Sequence, residues 1–250
     1  MSARHALITG GGSGIGLAAA RALAATGARL TLAGRRLDKV RAAAEEFENA
    51  HAIACDVTDE ASVNSAFAAA RDRYGVVDIL VNNAGQAPSA PFKNTTLELW
   101  NTVLAVNLTG AFLCTRAALP DMIDAKWGRI VNVGSVCSLK GYAYVSAYVA
   151  SKHGLLGLTR ALAHETAKQG VTVNCVCPGY VDTPIITESV GRLTSKTKLS
   201  AEEAHASLIQ FNPQGRIIAP EEVAAAIAYL CSDAAAATNG AAISITGGEI

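Results

Sequence analysis

The sequence predicts an α/β chain with a single-domain Rossmann fold, a doubly wound parallel sheet with helices on both faces. Three observations predict it. Short apolar strands alternate with helical segments along the whole chain, a glycine-rich turn closes the first strand and opens the first helix, and the strands are continuously apolar, as strands covered on both faces are. The 250 residues, half of them apolar and 17% charged, suffice for one large core.

Residues 5–9 read as the first strand, ended by Gly10, Gly11, Gly12, Ser13 and Gly14, and residues 15–25 as the first helix. Residues 29–33 restart an apolar strand, 37–47 form an alanine-rich amphipathic helix, 51–55 a third strand and 63–73 a helix. Residues 77–81 are strand again, and Asn82, Asn83, Ala84 and Gly85 supply the turn that ends it. The segment 97–122 reads as one long helix, or as two broken near Gly110. Strand 129–134, helix 146–168 and strand 171–176 follow, the last stopping at Pro178-Gly179. Beyond Asp182 the pattern weakens into polar residues with a short helix at 200–210, so 185–216 is the expected substrate lid. A helix at 221–231 behind Pro220 and a strand at 242–245 complete the chain. With no linker or shift of composition, residues 1–250 are expected to be one domain.

Composition excludes several function classes. Lys plus Arg number 21 against 21 Asp plus Glu, so no net field attracts nucleic acid or an anionic membrane. No stretch reaches the roughly 18 uninterrupted apolar residues of a membrane span. The six cysteines form no CxxC pair and lie mostly in apolar runs, which predicts reduced, buried thiols and a cytoplasmic protein. His5, His51, His153, His164 and His205 have no metal-ligand spacing, and no metal is expected.

The glycine cluster gives positive φ where a tight turn needs it and lets a pyrophosphate approach the backbone at a helix N-terminus. A carboxylate about 20 residues further on would hold an adenine ribose. This chain instead has Gly34, Arg35 and Arg36, room and positive charge for a 2'-phosphate, which favours NADP(H); Asp38 nearby keeps NAD(H) open. Tyr148 and Lys152, four apart at a helix start, share a face, and an ammonium beside a phenol stabilises the phenolate. Cys175 and Cys177 are expected on one side of a strand, and Cys137 beside the site.

From Arg4 to Gly248 the chain resembles the short-chain dehydrogenase/reductase family. The resemblance rests on Thr9-Gly10-x-x-x-Gly14-x-Gly16, Asn82-Asn83-Ala84-Gly85, Asn107, Ser135 thirteen residues ahead of Tyr148-x-x-x-Lys152, and Pro178-Gly179 with Thr183. It implies that Tyr148 is the acid in carbonyl reduction and the base in alcohol oxidation, that Ser135 steadies the substrate oxygen, and that Lys152 lowers the tyrosine pKa and holds the nicotinamide ribose. Asn107 would hold a water that extends a proton relay. For the cofactor it implies Thr9, Gly10, Gly12, Ser13, Gly14, Ile15 and Gly16 at the turn, with Arg35 and Arg36 beyond the second strand. Asp56 and Val57 follow the third strand, Asn83, Ala84 and Gly85 the fourth, and Pro178, Gly179, Val181 and Thr183 the sixth, besides Tyr148 and Lys152 themselves. The Asp56 segment reads equally well as helix-capping chemistry, Thr183 as a loop hydroxyl bonded to backbone, and Ser138 as a lining residue or a helix-start hydroxyl.

By the same resemblance the partner is a small-molecule ketone or alcohol. Asn132-Val133-Gly134-Ser135 and Pro213-Gln214-Gly215-Arg216 lean toward 3-oxoacyl reductases and polyketide ketoreductases acting on CoA or acyl-carrier-protein thioesters. A dehydrogenase of aliphatic, aromatic or cyclic secondary alcohols is the alternative, and a non-catalytic dinucleotide-binding regulator would have no use for the full set. Substrate choice is expected to rest on loop 86–92, Tyr142, Tyr144, Tyr180 and residues 185–211. A homotetramer is implied. Thr246 departs from the aspartate common before the last glycine pair.

Overall fold

The computed structural model describes residues 3–184, 186, 187, 191, 194 and 200–250. Its strands are β1 (His5–Thr9), β2 (Arg29–Gly34), β3 (Ala50–Ala54), β4 (Ile79–Asn82), β5 (Gly128–Val133), β6 (Val171–Pro178) and β7 (Ala242–Ile245). They form one sheet in the order β3-β2-β1-β4-β5-β6-β7, every pair parallel. The direction of winding reverses at β1, whose neighbours are β2 and β4, so a crevice opens beyond the carboxyl ends of β1 and β4.

The helices are α1 (Gly14–Ala24), α2 (Leu37–Ala44), α3 (Glu60–Tyr74), α4 (Leu97–Leu104), α5 (Gly110–Asp124), α6 (Ser146–Thr166), α7 (Ala201–Ile209) and α8 (Pro220–Leu230). Every residue of β1, β4, β5 and β6 is buried, as expected of largely apolar strands covered on both faces. Alternate residues go to opposite layers. Ile79 and Val81 join the core around Leu23, Leu30 and Ile227, while Leu80 joins the one around Phe67, Met122 and Ile130. The outer strands β3 and β7 are only partly buried, which fits their edge positions.

A buried polar chain fixes the site-bearing elements to one another. Asn82 Nδ2 donates to Asn132 Oδ1 at 2.9 Å and to Thr115 Oγ1 at 3.0 Å. Asn132 Nδ2 donates to Thr159 Oγ1 at 2.9 Å, and that hydroxyl to the Leu155 carbonyl at 2.8 Å. These bonds join β4, β5, α5 and α6, and each removed partner would leave a buried group unpaired.

Two expectations shift. The helical run over 97–122 is neither one α-helix nor two separated ones: a π-helical turn, Ala105–Thr109, joins α4 to α5. Gly110 lies there against Val57, where a Cβ would come 2.7 Å from Val57 Cγ2. Helix α2 ends at Ala44, short of 47, because the chain turns to seat Phe47 on the core. Of the expected lid, residues 185, 188–190, 192, 193 and 195–199 lie outside the described residues; within it α7 matches the helix expected at 200–210, and Ser200 and Glu203 bond reciprocally at its start. By length and composition Leu97–Asp124 is apolar enough to cross a membrane, but half of its most apolar window is buried inside the protein.

Candidate active site

The first wall of the site is the glycine turn between β1 and α1. Gly10 and Gly14 have φ of +65° and +53°, and a Cβ on Gly16 would lie 2.4 Å from the Gly10 carbonyl oxygen. Thr9, which the sequence assigns to the cofactor, is spent on the scaffold. It is buried, and its Oγ1 accepts from the Asn83 and Ala84 N–H groups at 3.0 Å each. The Asn83 amide donates to the carbonyls of Thr9 (3.0 Å) and Gly10 (3.1 Å), tying the end of β4 to the turn. A cleft of about 580 Å³ opens beside the turn, bordered by Gly14, Leu17, Asp182, Thr183, Pro184 and Pro220. Gly12 lies against α2, Ser13 is exposed at the N-cap of α1 without a side-chain capping bond, and Ile15 is half-buried.

Around this turn the remaining expected cofactor residues fall into two groups. Arg35 and Arg36 are exposed beyond β2 and face outward. Asp56 caps the start of its loop, its Oδ1 accepting from the Thr58 N–H (3.0 Å) and hydroxyl (2.8 Å); these bonds, with Arg35 in electrostatic reach, hold its carboxyl below the usual range. Val57 and Val181 are buried. Pro178 ends β6, and the Gly179 N–H donates to the Ile245 carbonyl at 3.0 Å. Thr183 donates to the Val181 carbonyl at 3.1 Å while its methyl group borders Gly14.

The second wall gathers the hydroxyls and the amine. Ser135 caps the short helical turn Val136–Ser138: its Oγ accepts from the Cys137 N–H at 3.1 Å, and Ser138 Oγ accepts from the Ser135 N–H at 3.2 Å, the helix-start role expected of Ser138. Tyr148 lies in the first turn of α6, its phenol in electrostatic reach of Cys137, Tyr180 and Cys177. One turn on, Lys152 is 4% exposed and donates to the Val133 carbonyl at 2.7 Å, its Nζ 5.6 Å from the centre of the Tyr148 ring. Asn107 sits in the π-turn. Its amide holds Gln86 by both backbone groups at 2.9 Å and donates to Ser151 Oγ at 3.1 Å. A Cβ on Gly85 would be 3.4 Å from Asn107 Oδ1 and 3.8 Å from Lys152 Nζ, so this glycine brings the two walls together.

The sequence-level expectation that Lys152 lowers the tyrosine pKa is not what the chain alone does. Burial pushes the Tyr148 phenol well above its ordinary value, with Ser135 offsetting only part of it. Burial also pushes the Lys152 amine down, to about 8. Removal from water is the largest cause of both shifts. Cys137 is likewise pushed up by burial, to about 11, which keeps it a thiol. All six cysteines are free and buried, and Cys175 and Cys177 share one side of β6 with their sulfurs 3.8 Å apart. Among the described residues no cluster of His, Cys, Asp or Glu is arranged to hold a metal ion.

Residues 4–193 match the family model described as short chain dehydrogenase. The chain belongs to the short-chain dehydrogenase family. It is 39% identical to a D-beta-hydroxybutyrate dehydrogenase of Cupriavidus necator, over 100% of this chain and 99% of that protein. It is 37% identical to a 3-oxoacyl-acyl-carrier-protein reductase of Aquifex aeolicus, over 99% and 98%. A crystal structure of an actinorhodin polyketide ketoreductase variant with NADPH superposes with a TM-score of 0.96 at 38% identity, covering 99% of this chain and 97% of that one.

One group in this short-chain dehydrogenase has no counterpart in the sequence reading. Glu249 turns inward, accepting a hydrogen bond from the Tyr142 hydroxyl and pairing with Lys140 Nζ at 3.0 Å. Tyr142 meets Phe211 edge-on and Tyr180 stacks on Phe211, with centroids 6.1 and 5.7 Å apart. The tyrosines carry a visible signal; a glutamate beyond the last strand carries none.

The buried amine has a measurable consequence. Lys152 loses its proton near pH 8 when folded and near 10.4 when unfolded, so between these values only the unfolded chain binds the proton. Its contribution therefore raises stability with pH across that window, by up to about 1.4 kcal/mol per unit. Urea unfolding from pH 7 to 10 should show the parent gaining stability over Lys152→Met as pH rises through 8; parallel curves would disprove the assignment.

Proposed function

We propose that this short-chain dehydrogenase reduces a ketone to a secondary alcohol with NADPH, and oxidises the alcohol in reverse, by proton transfer at Tyr148. The observation that carries the reading is the meeting of Ser135, Tyr148 and the buried Lys152 beyond the carboxyl ends of the strands, across from a glycine turn too tight for a Cβ at Gly16. The residues present fit a dinucleotide. The start of α1 offers unpaired N–H groups to a pyrophosphate, Gly14 and Thr183 border the cleft, and the exposed Arg35 and Arg36 offer charge to a 2'-phosphate. Bound there, the nicotinamide ring supplies or accepts the hydride.

The chain's own part is acid-base and electrostatic. The Ser135 and Tyr148 hydroxyls donate to the carbonyl oxygen, and Tyr148 gives up its proton as negative charge develops on that oxygen. Burial keeps the resting phenol protonated, the form reduction needs. Lys152 stabilises the phenolate once the proton has left and would hold the nicotinamide ribose of a bound dinucleotide. Asn107 fixes the Gln86 backbone beside Lys152 with both its amide groups, and the remaining lone pair of its Oδ1 would hold a water that returns a proton through the amine.

The favoured substrates are 3-oxoacyl thioesters and related β-keto compounds. Support comes from the likeness to the 3-oxoacyl-acyl-carrier-protein reductase and the polyketide ketoreductase, and from the aromatic cluster of Tyr142, Tyr180 and Phe211 beside the site. Six buried free thiols support a cytoplasmic setting. Leu97 on α4 and Phe112 on α5, 73% and 43% exposed, support a homotetramer through that helical face.

Tyr148→Phe should lower kcat for ketone reduction at least about 1,000-fold with the NADPH dissociation constant changed by no more than a few-fold, because the ring stays and the transferable proton goes. Turnover within tenfold of the parent would refute the assignment. Arg35→Ala should weaken NADPH binding about tenfold or more and NADH binding much less, read by cofactor fluorescence; equal losses would make the arginine structural. Light scattering should return the mass of four chains, and a monomer would remove the tetramer from the reading.

A further inference from the structure

We propose that Glu249 sets substrate charge: its inward carboxylate makes the pocket reject ketones that carry a negative charge next to the reacting carbonyl, while accepting their esters, thioesters and neutral cyclic counterparts. The inference rests on the ketone-reductase reading and narrows its substrate class.

The geometry is that of a charge aimed inward. Glu249 has a side chain 4% exposed, whereas the ammonium that pairs with it, on Lys140, is 35% exposed. The pair is thus polarised, with its negative end in the interior and its positive end toward solvent. The Tyr142 hydroxyl fixes the carboxylate by donating to it, and a Cβ on Gly179 would lie 3.5 Å from Glu249 Oε2, so the residue after β6 is the floor on which the carboxylate rests.

Cys137 connects this carboxylate to the reacting groups. The thiol lies in electrostatic reach of Lys152, Glu249 and Lys140, and it is among the neighbours that act on Tyr148 and Tyr142. Tyr180 feels both Cys137 and Glu249. The segment from Ser135 to Tyr148 also carries Lys140 and Tyr142, the two partners that hold Glu249, and Tyr142 continues through Phe211 to Tyr180. A substrate whose carbonyl oxygen meets Ser135 and Tyr148 extends its next few atoms toward these side chains. An ester or thioester finds aromatic faces and a phenol there, whereas a carboxylate on those atoms meets a like charge in a site of low dielectric.

The test compares acetoacetate with methyl acetoacetate, which differ by the charge and one methyl group, using NADPH and the full chain. In the parent, kcat/KM for the ester should exceed that for the acid about 100-fold. Glu249→Gln should narrow the gap at least fivefold, and Glu249→Asp, which keeps the charge, should leave it within threefold of the parent. Because a carboxylate also makes the ketone intrinsically less reactive, inhibition of the parent is measured too. 3-Hydroxybutyrate should inhibit ester reduction at least tenfold more weakly than its methyl ester does, a comparison that needs no variant to fold. A parent that favours the acid, a gap the glutamine variant narrows less than fivefold, or equal inhibition by acid and ester overturns the role of Glu249 alone. Absence of NADPH oxidation with the ester, or with a panel of neutral ketones, overturns the ketone-reductase reading and the inference with it.

Discussion

The structure depends on keeping one amine in the interior. Lys152 is almost wholly removed from water, and among the described residues no carboxylate pairs with it; its neighbours are thiols and the Val133 carbonyl. A buried ammonium of this kind costs stability unless something offsets the desolvation, and nothing in packing alone calls for a lysine there. Its place is fixed from three directions. The carbonyl at the end of β5 accepts its hydrogen bond, α6 sets its height, and Gly85 lets the loop after β4 come close without a side chain between them. Each of these elements is tied to the next by the Asn82, Asn132 and Thr159 chain, so the amine, the phenol one helical turn earlier and the Ser135 hydroxyl are set by the same rigid frame.

That arrangement explains why several polar residues at the site do structural work. Thr9 and Asn83 spend their hydrogen bonds joining β1 to β4, Asn107 spends its amide on Gln86 and Ser151, and Ser135 caps the turn that leads away from β5. A parallel sheet brings the ends of its strands to one edge but leaves the loops there free to wander, and these bonds hold them. The hydroxyl of Ser135 can accept from the Cys137 N–H and still donate to a carbonyl oxygen, because a hydroxyl has one proton and two lone pairs.

Much of this was legible in the chain. The buried strands announce themselves through largely apolar runs, the turn through glycines that follow a strand and precede a helix, and the phenol and amine through a four-residue spacing on a helix. Other features were not, for identifiable reasons. The π-turn at Ala105–Thr109 has a sequence indistinguishable from the α-helix on either side; it arises from contacts of Asn107 and Gly110 with loops distant in sequence. The raised pKa of Tyr148 comes from burial in the folded chain, which spacing on α6 cannot report. Glu249 acquires its meaning only when the segment after β7 folds back toward Tyr142 and Lys140.

The same burial that raises the phenol also decides how charge can be used in this pocket. With Tyr148 protonated at rest and Lys152 near its midpoint just above neutrality, the resting reaction centre carries little fixed negative charge of its own. Negative charge appears there during reduction, on the carbonyl oxygen and then on the phenolate, and the nearby amine is the group able to answer it. A second anion brought in by the substrate would draw on that same amine before the reaction began, stabilising the ground state as much as the transition state. An inward carboxylate at the far end of the aromatic surface removes this competitor by repulsion and leaves the positive charge of Lys152 for the oxygen where it lowers the barrier.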